Sequence, residues 1–187
     1  MPTPDRTSLD AIVAAGRDIL EAAGLAGLTM QAVADRVGVR APSLYKRVRN
    51  RDDLVRLITE ATFHDLGEQL ATTAAGPDPR RDLAELARTI RAFAHARPVG
   101  YQLIFTPRAG GPSVEAIRHA VEPVMRVAVN LAGEQHALEA ARTITAWANG
   151  FISMELSGAF QLGGDLDQAY EFGITRLTDA LAGPPPR

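Results

Sequence analysis

Basic and hydroxyl side chains are concentrated in one short stretch of the chain, between Arg36 and Arg56. Seven Arg or Lys residues lie there with only two Asp residues, whereas the whole chain has 20 basic and 22 acidic residues. Such groups donate hydrogen bonds to phosphate oxygens and to base edges in the grooves of duplex DNA. A local basic patch on an acidic chain is typical of a small nucleic-acid-binding element, and a merely solvated charged surface is the alternative.

Two short helices joined by a tight turn would position these side chains. Thr29 can cap the first helix, and Gly38 can take the left-handed conformation that ends it. Pro42 suits the first turn of the second helix, where its missing amide costs nothing. Only Leu44 and Val48 point inward in the second helix, so its polar and aromatic side chains face out. This pattern indicates a helix-turn-helix of the kind that enters the major groove.

The segment from Leu28 to Leu54 resembles the DNA-binding region of the TetR/AcrR family of one-component repressors. That family has a Thr-led helix, a Gly-Val turn, a Leu-Tyr pair in the recognition helix and a characteristic start to the next helix. The matching positions here are Thr29, Gly38-Val39, Leu44-Tyr45, and Asn50-Arg51 through Leu54.

The resemblance implies which side chains contact DNA. The side chains expected to contact phosphates are Thr29, Tyr45, Lys46 and Arg51. Ser43 and its neighbours are expected to approach the bases. Two positions depart from the family pattern, because Arg40 replaces a usual capping Ser and Arg47 replaces a frequent His. Arg40 is therefore expected to serve as a DNA contact. The predicted DNA-binding residues are Thr29, Arg40, Ala41, Pro42, Ser43, Tyr45, Lys46, Arg47 and Arg51.

Helical periodicity continues through the rest of the chain, without strand-like alternation or internal repeats. We predict an all-α protein of about nine helices. Its N-terminal three-helix head is a helix-turn-helix DNA-binding domain at residues 1–54, and a helical effector-binding and dimerisation domain covers residues 55–187. Residues 1–7, with two prolines, are expected to form a loose arm. The helix that begins at Asn50 is the natural mechanical link between the two domains.

The last two helices, from about Gln135 to Phe160 and from Asp165 to Ala182, contain an uncharged stretch from Thr143 to Met154. Glycine within a helix costs about 1 kcal/mol relative to alanine, so Gly150 suggests close approach by another backbone. Packing within the chain and a twofold four-helix bundle both fit. The resemblance favours the bundle, because this family dimerises through its C-terminal helix pair. The predicted interface residues are Ala141, Thr145, Ala148, Ile152, Gly158, Tyr170 and Leu177.

Aromatic and methionine residues of the larger part are candidates for the wall of a ligand cavity. The segments from Arg97 and from Trp147 to Leu156 are similar to the WHG-type subclass of C-terminal domains, with Asn149 where His is expected. For each residue alone, core packing is the stronger alternative. For the set, the resemblance favours a mostly apolar pocket. The predicted lining is Phe63, Phe93, Tyr101, Phe105, Met125, Trp147, Asn149 and Phe151.

Catalytic and metal-binding patterns are absent from the sequence. None of the four histidines forms a His-x-x-x-His or Glu-x-x-His pair, so no helical metal site is indicated. There is no phosphate-binding glycine loop and no Gly-x-Ser-x-Gly elbow. The lack of cysteine excludes disulfides and thiolate sites. We therefore expect no enzyme activity, no metal and no cofactor.

These observations predict a homodimeric transcriptional repressor that a small apolar ligand releases from a palindromic operator in double-stranded DNA. We expect a cytoplasmic protein without a membrane partner, because neither a secretory signal nor a spanning segment is evident. The alternative is a non-catalytic helical interaction module, or a nonspecific DNA-binding module, without ligand response.

Overall fold

The computed structural model describes residues 8–74, 76–106 and 110–182. Within them the regular structure comprises nine α-helices and one 3₁₀ turn, without a strand, which confirms the all-α prediction. The expected arm at residues 1–7 and the prolines at 184–186 lie outside the described residues. The helices are α1 (Leu9–Gly27), α2 (Met30–Val37), α3 (Ala41–Leu44), α4 (Arg51–Thr73), α5 (Pro79–Ala96), α6 (Pro98–Ile104), α7 (Val114–Ala132), α8 (Ala137–Leu156) and α9 (Leu166–Leu181), with the 3₁₀ turn at Glu134–His136.

The described residues pack into two compact units, and both units are discontinuous in sequence. The first unit comprises Met1–Phe63 with Arg97–Ile117, and the second comprises His64–Ala96 with Arg118–Arg187. Helices α4 and α7 each begin in the first unit and end in the second. A functional boundary after residue 54 stays a prediction, because compactness alone does not assign function.

The core of the first unit gathers one apolar side of α1, α2 and α3 around the start of α4. Gly16 allows α1 to lie close to α4, because a Cβ at this position would come within 2.8 Å of Ile58 Cδ1. The fully buried side chains at the centre of this core are Ile12, Leu28, Val33, Ala34, Leu44, Val48, Leu54 and Ile58.

Helix α6 belongs to the first unit because a side chain of α1 caps it. The Glu21 carboxylate accepts hydrogen bonds from the amides of Val99, at 3.1 Å, and Gly100, at 2.8 Å. These amides lie in the first turn of α6, where the helix dipole favours an anion. Arg97, at the N-cap position of α6, makes no capping bond with its own side chain. Glu21 therefore holds α6 against α1.

The second unit packs α5 against α8 and α9. Tyr170 is buried, and its hydroxyl donates to the Ala87 carbonyl at 2.8 Å. The Trp147 ring stacks on Tyr170, with ring centroids 5.0 Å apart, and Phe151 meets Tyr170 edge-on. Gly173 makes room for the indole, because a Cβ there would lie 2.4 Å from Trp147 Cζ2.

A partly buried ion pair joins α5 to α8 in the same unit. The Arg91 Nε–H donates to Glu155 at 2.9 Å, and His95 Nε2 lies 3.1 Å from the same carboxylate. The hydrogen bond from Arg91 is the main reason that the pKa of Glu155 lies below its ordinary value. Each of the two charged side chains is thus paired at a position that is only partly exposed to solvent.

One helix end differs from the sequence prediction. Helix α1 is interrupted at Gly24, which has the non-helical angles φ 64° and ψ −174°, and a short helical segment follows it to Gly27. Helix α8 ends at Leu156 instead of near Phe160, and Gly158 then takes a positive φ of 66°. Among the described helices, none has the length and apolar content that crossing a lipid bilayer requires.

Candidate DNA-binding surface and ligand cavity

Both ends of α2 form as the sequence predicted. Thr29 is the N-cap residue, and its hydroxyl accepts from the Ala32 amide at 3.0 Å. Gly38 adopts the left-handed conformation, with φ 76° and ψ 38°. The chain then turns, and the Val39 amide donates to the Ala34 carbonyl at 2.9 Å. The turn that separates α2 from α3 is thus fixed by its own backbone hydrogen bonds.

Helix α3 presents an outward face because two side chains anchor its inner face. Leu44 and Val48 are completely buried, as predicted. Pro42 lies in the first turn, and Arg40, at the N-cap position, makes no capping bond with its own side chain. Tyr45 is 54% exposed, a large fraction for an aromatic residue. We call the solvent-facing residues Arg40, Pro42, Tyr45, Lys46 and Arg47, with half-buried Ala41 and Ser43, the α3 surface.

Cations around this surface divide into paired and unpaired groups. Arg40 and Lys46 are exposed, and neither forms an ion pair within the described parts of the chain. Arg36 instead pairs with Asp18 at 3.0 Å, and Arg49 pairs with Asp53 at 3.0 Å. The two unpaired cations leave positive charge on the α3 surface available to a polyanion.

Arg51 lies inside the first unit, where its guanidinium binds backbone carbonyls. Its Nε–H donates to the Leu28 carbonyl at 2.7 Å, and a second N–H donates to the Leu25 carbonyl. Arg51 therefore fastens the start of α4 to the connection between α1 and α2. Its predicted phosphate contact stays a prediction, whereas Thr29 is exposed at the start of α2.

Asp53 organises the first turn of α4. Its carboxylate accepts from the backbone amide and side chain of Arg49, each at 3.0 Å, and from Arg56 at 2.8 Å. The hydrogen bond from the Arg49 side chain is the largest cause that holds the pKa of Asp53 well below its usual range. The Asp53 amide donates in turn to the Asn50 side chain at 2.9 Å, so Asn50 caps the start of α4.

A cavity of about 600 Å³ lies inside the first unit. Its apolar wall comes from α4 and α6, and it contains two of the predicted ligand residues, Phe63 and Phe105. Arg51 and Leu25 also line it, so the cavity touches the tether between α4 and α1. The other lining residues are Asp52, Val55, Arg56, Thr59, Leu103, Ile104, Thr106, Gly110, Gly111, Pro112 and Ile117.

The remaining predicted ligand residues lie elsewhere. Tyr101 packs on Phe105 with ring centroids 5.3 Å apart, and its buried hydroxyl has no hydrogen-bond partner among the described residues. Burial raises the pKa of Tyr101, so its hydroxyl stays neutral. The other five residues belong to the second unit and do not line this cavity: Phe93 (buried), Met125, Trp147, Asn149 and Phe151 (half-buried).

The predicted interface residues on α8 and α9 divide by exposure. Thr145 and Gly158 are exposed, and Leu177 is half-buried. Their exposed neighbours on α8 include Ala146 and Ser153. The other four predicted residues are buried by their own chain: Ala141, Ala148, Ile152 and Tyr170.

Comparison with known proteins assigns both parts of the chain. Residues 12–58 match the family described as bacterial regulatory proteins, tetR family, and residues 83–177 match the tetracyclin repressor-like C-terminal domain. The chain belongs to the TetR family. It is a helix-turn-helix transcriptional regulator that binds DNA, as the sequence predicted.

Relatives of known sequence or structure extend over nearly the whole chain. An uncharacterised HTH-type transcriptional regulator of Mycobacterium tuberculosis is 31% identical over 183 residues, which covers 95% of this chain and 83% of that protein. Mycobacterium smegmatis BioQ superposes with a TM-score of 0.73 at 28% identity, covering 94% of this chain and 97% of BioQ. A crystal structure of BioQ with its natural double-stranded DNA operator has a TM-score of 0.69 at 27% identity, covering 94% and 98%.

Proposed function

We propose that this TetR-family regulator is a homodimeric cytoplasmic repressor that a small apolar ligand releases from a palindromic operator. The observation that carries the proposal is the position of the cavity. One compact unit contains both the α3 surface and a cavity whose wall includes Arg51, the residue that fastens α4 to the α1–α2 connection. The ligand cavity and the α3 surface are therefore connected through a small number of contacts. We propose no catalytic role.

The α3 surface supplies the DNA contacts in this proposal. Exposed Arg40 and Lys46 place positive charge where phosphates pass, and Tyr45 offers a hydroxyl and a ring. Ser43 and Ala41, in the first turn, are the residues we assign to base edges. A helix of four residues contacts few base pairs, so specificity requires a second copy about 34–36 Å away in the next major groove.

A second copy has a suitable surface on α8. Thr145, Ala146, Asn149 and Ser153 form what we call the uncharged α8 face, within a stretch without charge from Thr143 to Met154. Exposed helix faces usually carry charged residues, and small uncharged side chains allow two helices to approach closely. We assign the twofold contact to this face, because four of the originally predicted residues are buried by their own chain.

Ligand response follows from competition within the first unit. A ligand in the cavity would contact Arg51 and Leu25, and a ligand that binds more tightly once their hydrogen bond is rearranged shifts the chain towards that conformation. The connection between α1 and α2 would then move, and α2 and α3 would move with it. The ligand can weaken DNA binding only to the extent that it prefers this second conformation.

The DNA-binding part is tested by selection of bound sequences from a random duplex pool, followed by binding measurements across salt concentrations. We expect a palindrome to be enriched and preferred over random duplex by at least ~10³. Lys46→Ala should weaken all duplexes similarly and reduce the salt slope by about one, because one phosphate contact is lost. Arg118→Ala, which removes an exposed cation on α7, is the matched control and should leave the slope unchanged.

The competing function, a nonspecific DNA-binding module without ligand response, gives a different result. Random and palindromic duplexes would then bind with equal affinity. Both affinities would fall with rising salt concentration only through counterion release. An effect of Lys46→Ala confined to one base position would contradict its phosphate role.

The ligand-binding part is tested with 1-anilinonaphthalene-8-sulfonate, an aromatic probe for the apolar wall of the cavity. Phe105→Ala should weaken probe binding about tenfold, corresponding to about 1.4 kcal/mol of lost apolar contact. Phe172→Ala removes an exposed phenylalanine of α9 outside the cavity and should have no effect. Probe binding should also lower the affinity of the wild-type protein for the selected palindrome. Equal losses in both variants would contradict the cavity assignment.

A further inference from the structure

Two histidines and a glutamate from distant parts of the chain meet in the second unit. His64 and Glu68 lie one helical turn apart on α4, and His119 comes from α7. Possible ligand atoms of these three side chains all lie within 4.8 Å of one another. We call these three residues the histidine cluster, and nothing in the DNA-binding or ligand-response proposal uses them.

A glycine brings the two helices close enough to form the cluster. A Cβ at Gly67 would lie 2.7 Å from His119 Cδ2 and 3.0 Å from the backbone of Ala120. Any larger residue at this position would force α7 away from α4. Glycine destabilises a helix by about 1 kcal/mol relative to alanine. At this position the glycine allows α7 to approach α4 closely enough to position His119.

His119 presents a ring nitrogen that its surroundings leave unsatisfied. Its Nε2 atom is buried and makes no hydrogen bond with any described residue. Glu68 Oε1 lies 3.9 Å from this nitrogen, which is within ion-pair distance but too long for a hydrogen bond. The His64 and His119 rings are stacked, with centroids 4.8 Å apart at an interplanar angle of 27°. An imidazole nitrogen without a hydrogen-bond partner is available to bind a metal ion.

We propose that the histidine cluster binds a divalent transition-metal ion of the Zn²⁺ class and so joins α4 to α7. Two imidazoles and one carboxylate are a ligand set that Zn²⁺ accepts, with a fourth position left for water or another small ligand. Metal–ligand distances of about 2.0–2.2 Å require the ligand atoms to approach one another more closely than 4.8 Å. The required movement is small, because Glu68 is 64% exposed and His64 is also exposed, so both side chains can rotate.

The test is calorimetric titration of ZnCl₂ into the full-length chain, freed of any affinity tag and of metal by chelation and gel filtration. We expect one Zn²⁺ bound per chain. His64→Asn and His119→Asn should each weaken binding by at least about tenfold, and Glu68→Gln should weaken it in the same direction. His136→Asn is the matched control, since His136 is an exposed histidine outside the cluster, and this variant should bind Zn²⁺ like the wild type.

Two further measurements separate metal ligation from a purely structural role. Zn²⁺ should raise the Tm of the wild type and of His136→Asn, and should raise it much less in His119→Asn. Co²⁺ should give the visible absorption of a site of low coordination number in the wild type and lose it in His64→Asn. The proposal is overturned if the wild type binds no Zn²⁺, or if His136→Asn reduces binding as much as His119→Asn.

Discussion

Asp53 shows how one residue stabilises the part of the molecule that carries the α3 surface. It is a carboxylate with 7% of its side chain exposed, and it accepts from Arg49 and Arg56 at the start of α4. Because the native state holds its pKa well below the ordinary value, folding is linked to its ionisation. The stabilisation is complete above the pKa of an unfolded Asp, about 3.9, and is lost as the pH falls below it.

Asp53→Asn should therefore lower the free energy of unfolding at pH 7 by about 1–3 kcal/mol, because the buried Asp53 side chain loses its charge-assisted hydrogen bonds from Arg49 and Arg56. Between pH 7 and pH 3 the wild type should lose stability more steeply than the variant. Urea denaturation at a series of pH values measures both effects. Asp18→Asn removes the exposed partner of Arg36 and should cost less than about 1 kcal/mol. Parallel pH profiles for wild type and Asp53→Asn would refute this assignment.

At the scale of helices, long-range contacts decide where the elements lie. Glu21 caps α6 although it precedes Val99 by 78 positions, and Gly173 accepts the ring of Trp147 from the neighbouring helix. In both cases one residue fixes the distance between two helices. Packing within each unit therefore depends on single positions that helical periodicity does not mark.

Gly173→Ala should destabilise the protein, although alanine usually favours a helix over glycine by about 1 kcal/mol. The new Cβ would lie 2.4 Å from Trp147 Cζ2, so the indole must leave its place on Tyr170. Trp147 is the only tryptophan of the chain, and its emission should shift to longer wavelength as it gains solvent. Gly150→Ala, at a position where a Cβ meets no atom of its own chain within 4 Å, should instead leave the Trp147 emission unchanged. Unchanged emission and a gain in stability for Gly173→Ala would contradict the packing.

Local signals in the sequence predicted the elements, and contacts between distant residues could not be predicted from it. Thr29, Gly38 and Asp165 each act on amides or dihedral angles within three residues, so their types alone identify helix ends. The cavity and the Glu21 cap depend on residues that meet only after folding. A search for paired histidines within one helix likewise misses the histidine cluster, because its ligands come from two helices.

At the scale of the whole molecule, the proposed repressor depends on pairing of two copies. On the uncharged α8 face, a single copy of the chain leaves Thr145, Ala146 and Ser153 exposed to solvent. Two copies in one particle would present two α3 surfaces to one duplex, which raises affinity by making the second contact intramolecular.

Ala146→Arg places a long cation at the centre of the uncharged α8 face and should convert a dimer into a monomer. Sedimentation analysis should give twice the 20.0 kDa chain mass for the wild type and the single-chain mass for the variant. Ala71→Arg makes the same change at an exposed position of α4 and should remain dimeric. Operator affinity should fall with Ala146→Arg alone. A monomeric wild type, or a dimeric Ala146→Arg variant, would rule out this interface.

The discontinuity of the first unit has a practical consequence for protein engineering. A chimera made by one crossover near Phe63 would separate Glu21 from the amides of α6 that it caps. Grafting this unit onto another regulator requires that the segment Arg97–Ile117 be transferred together with the N-terminal segment, and one crossover cannot achieve this. The same constraint applies to natural recombination, which would exchange these two segments together.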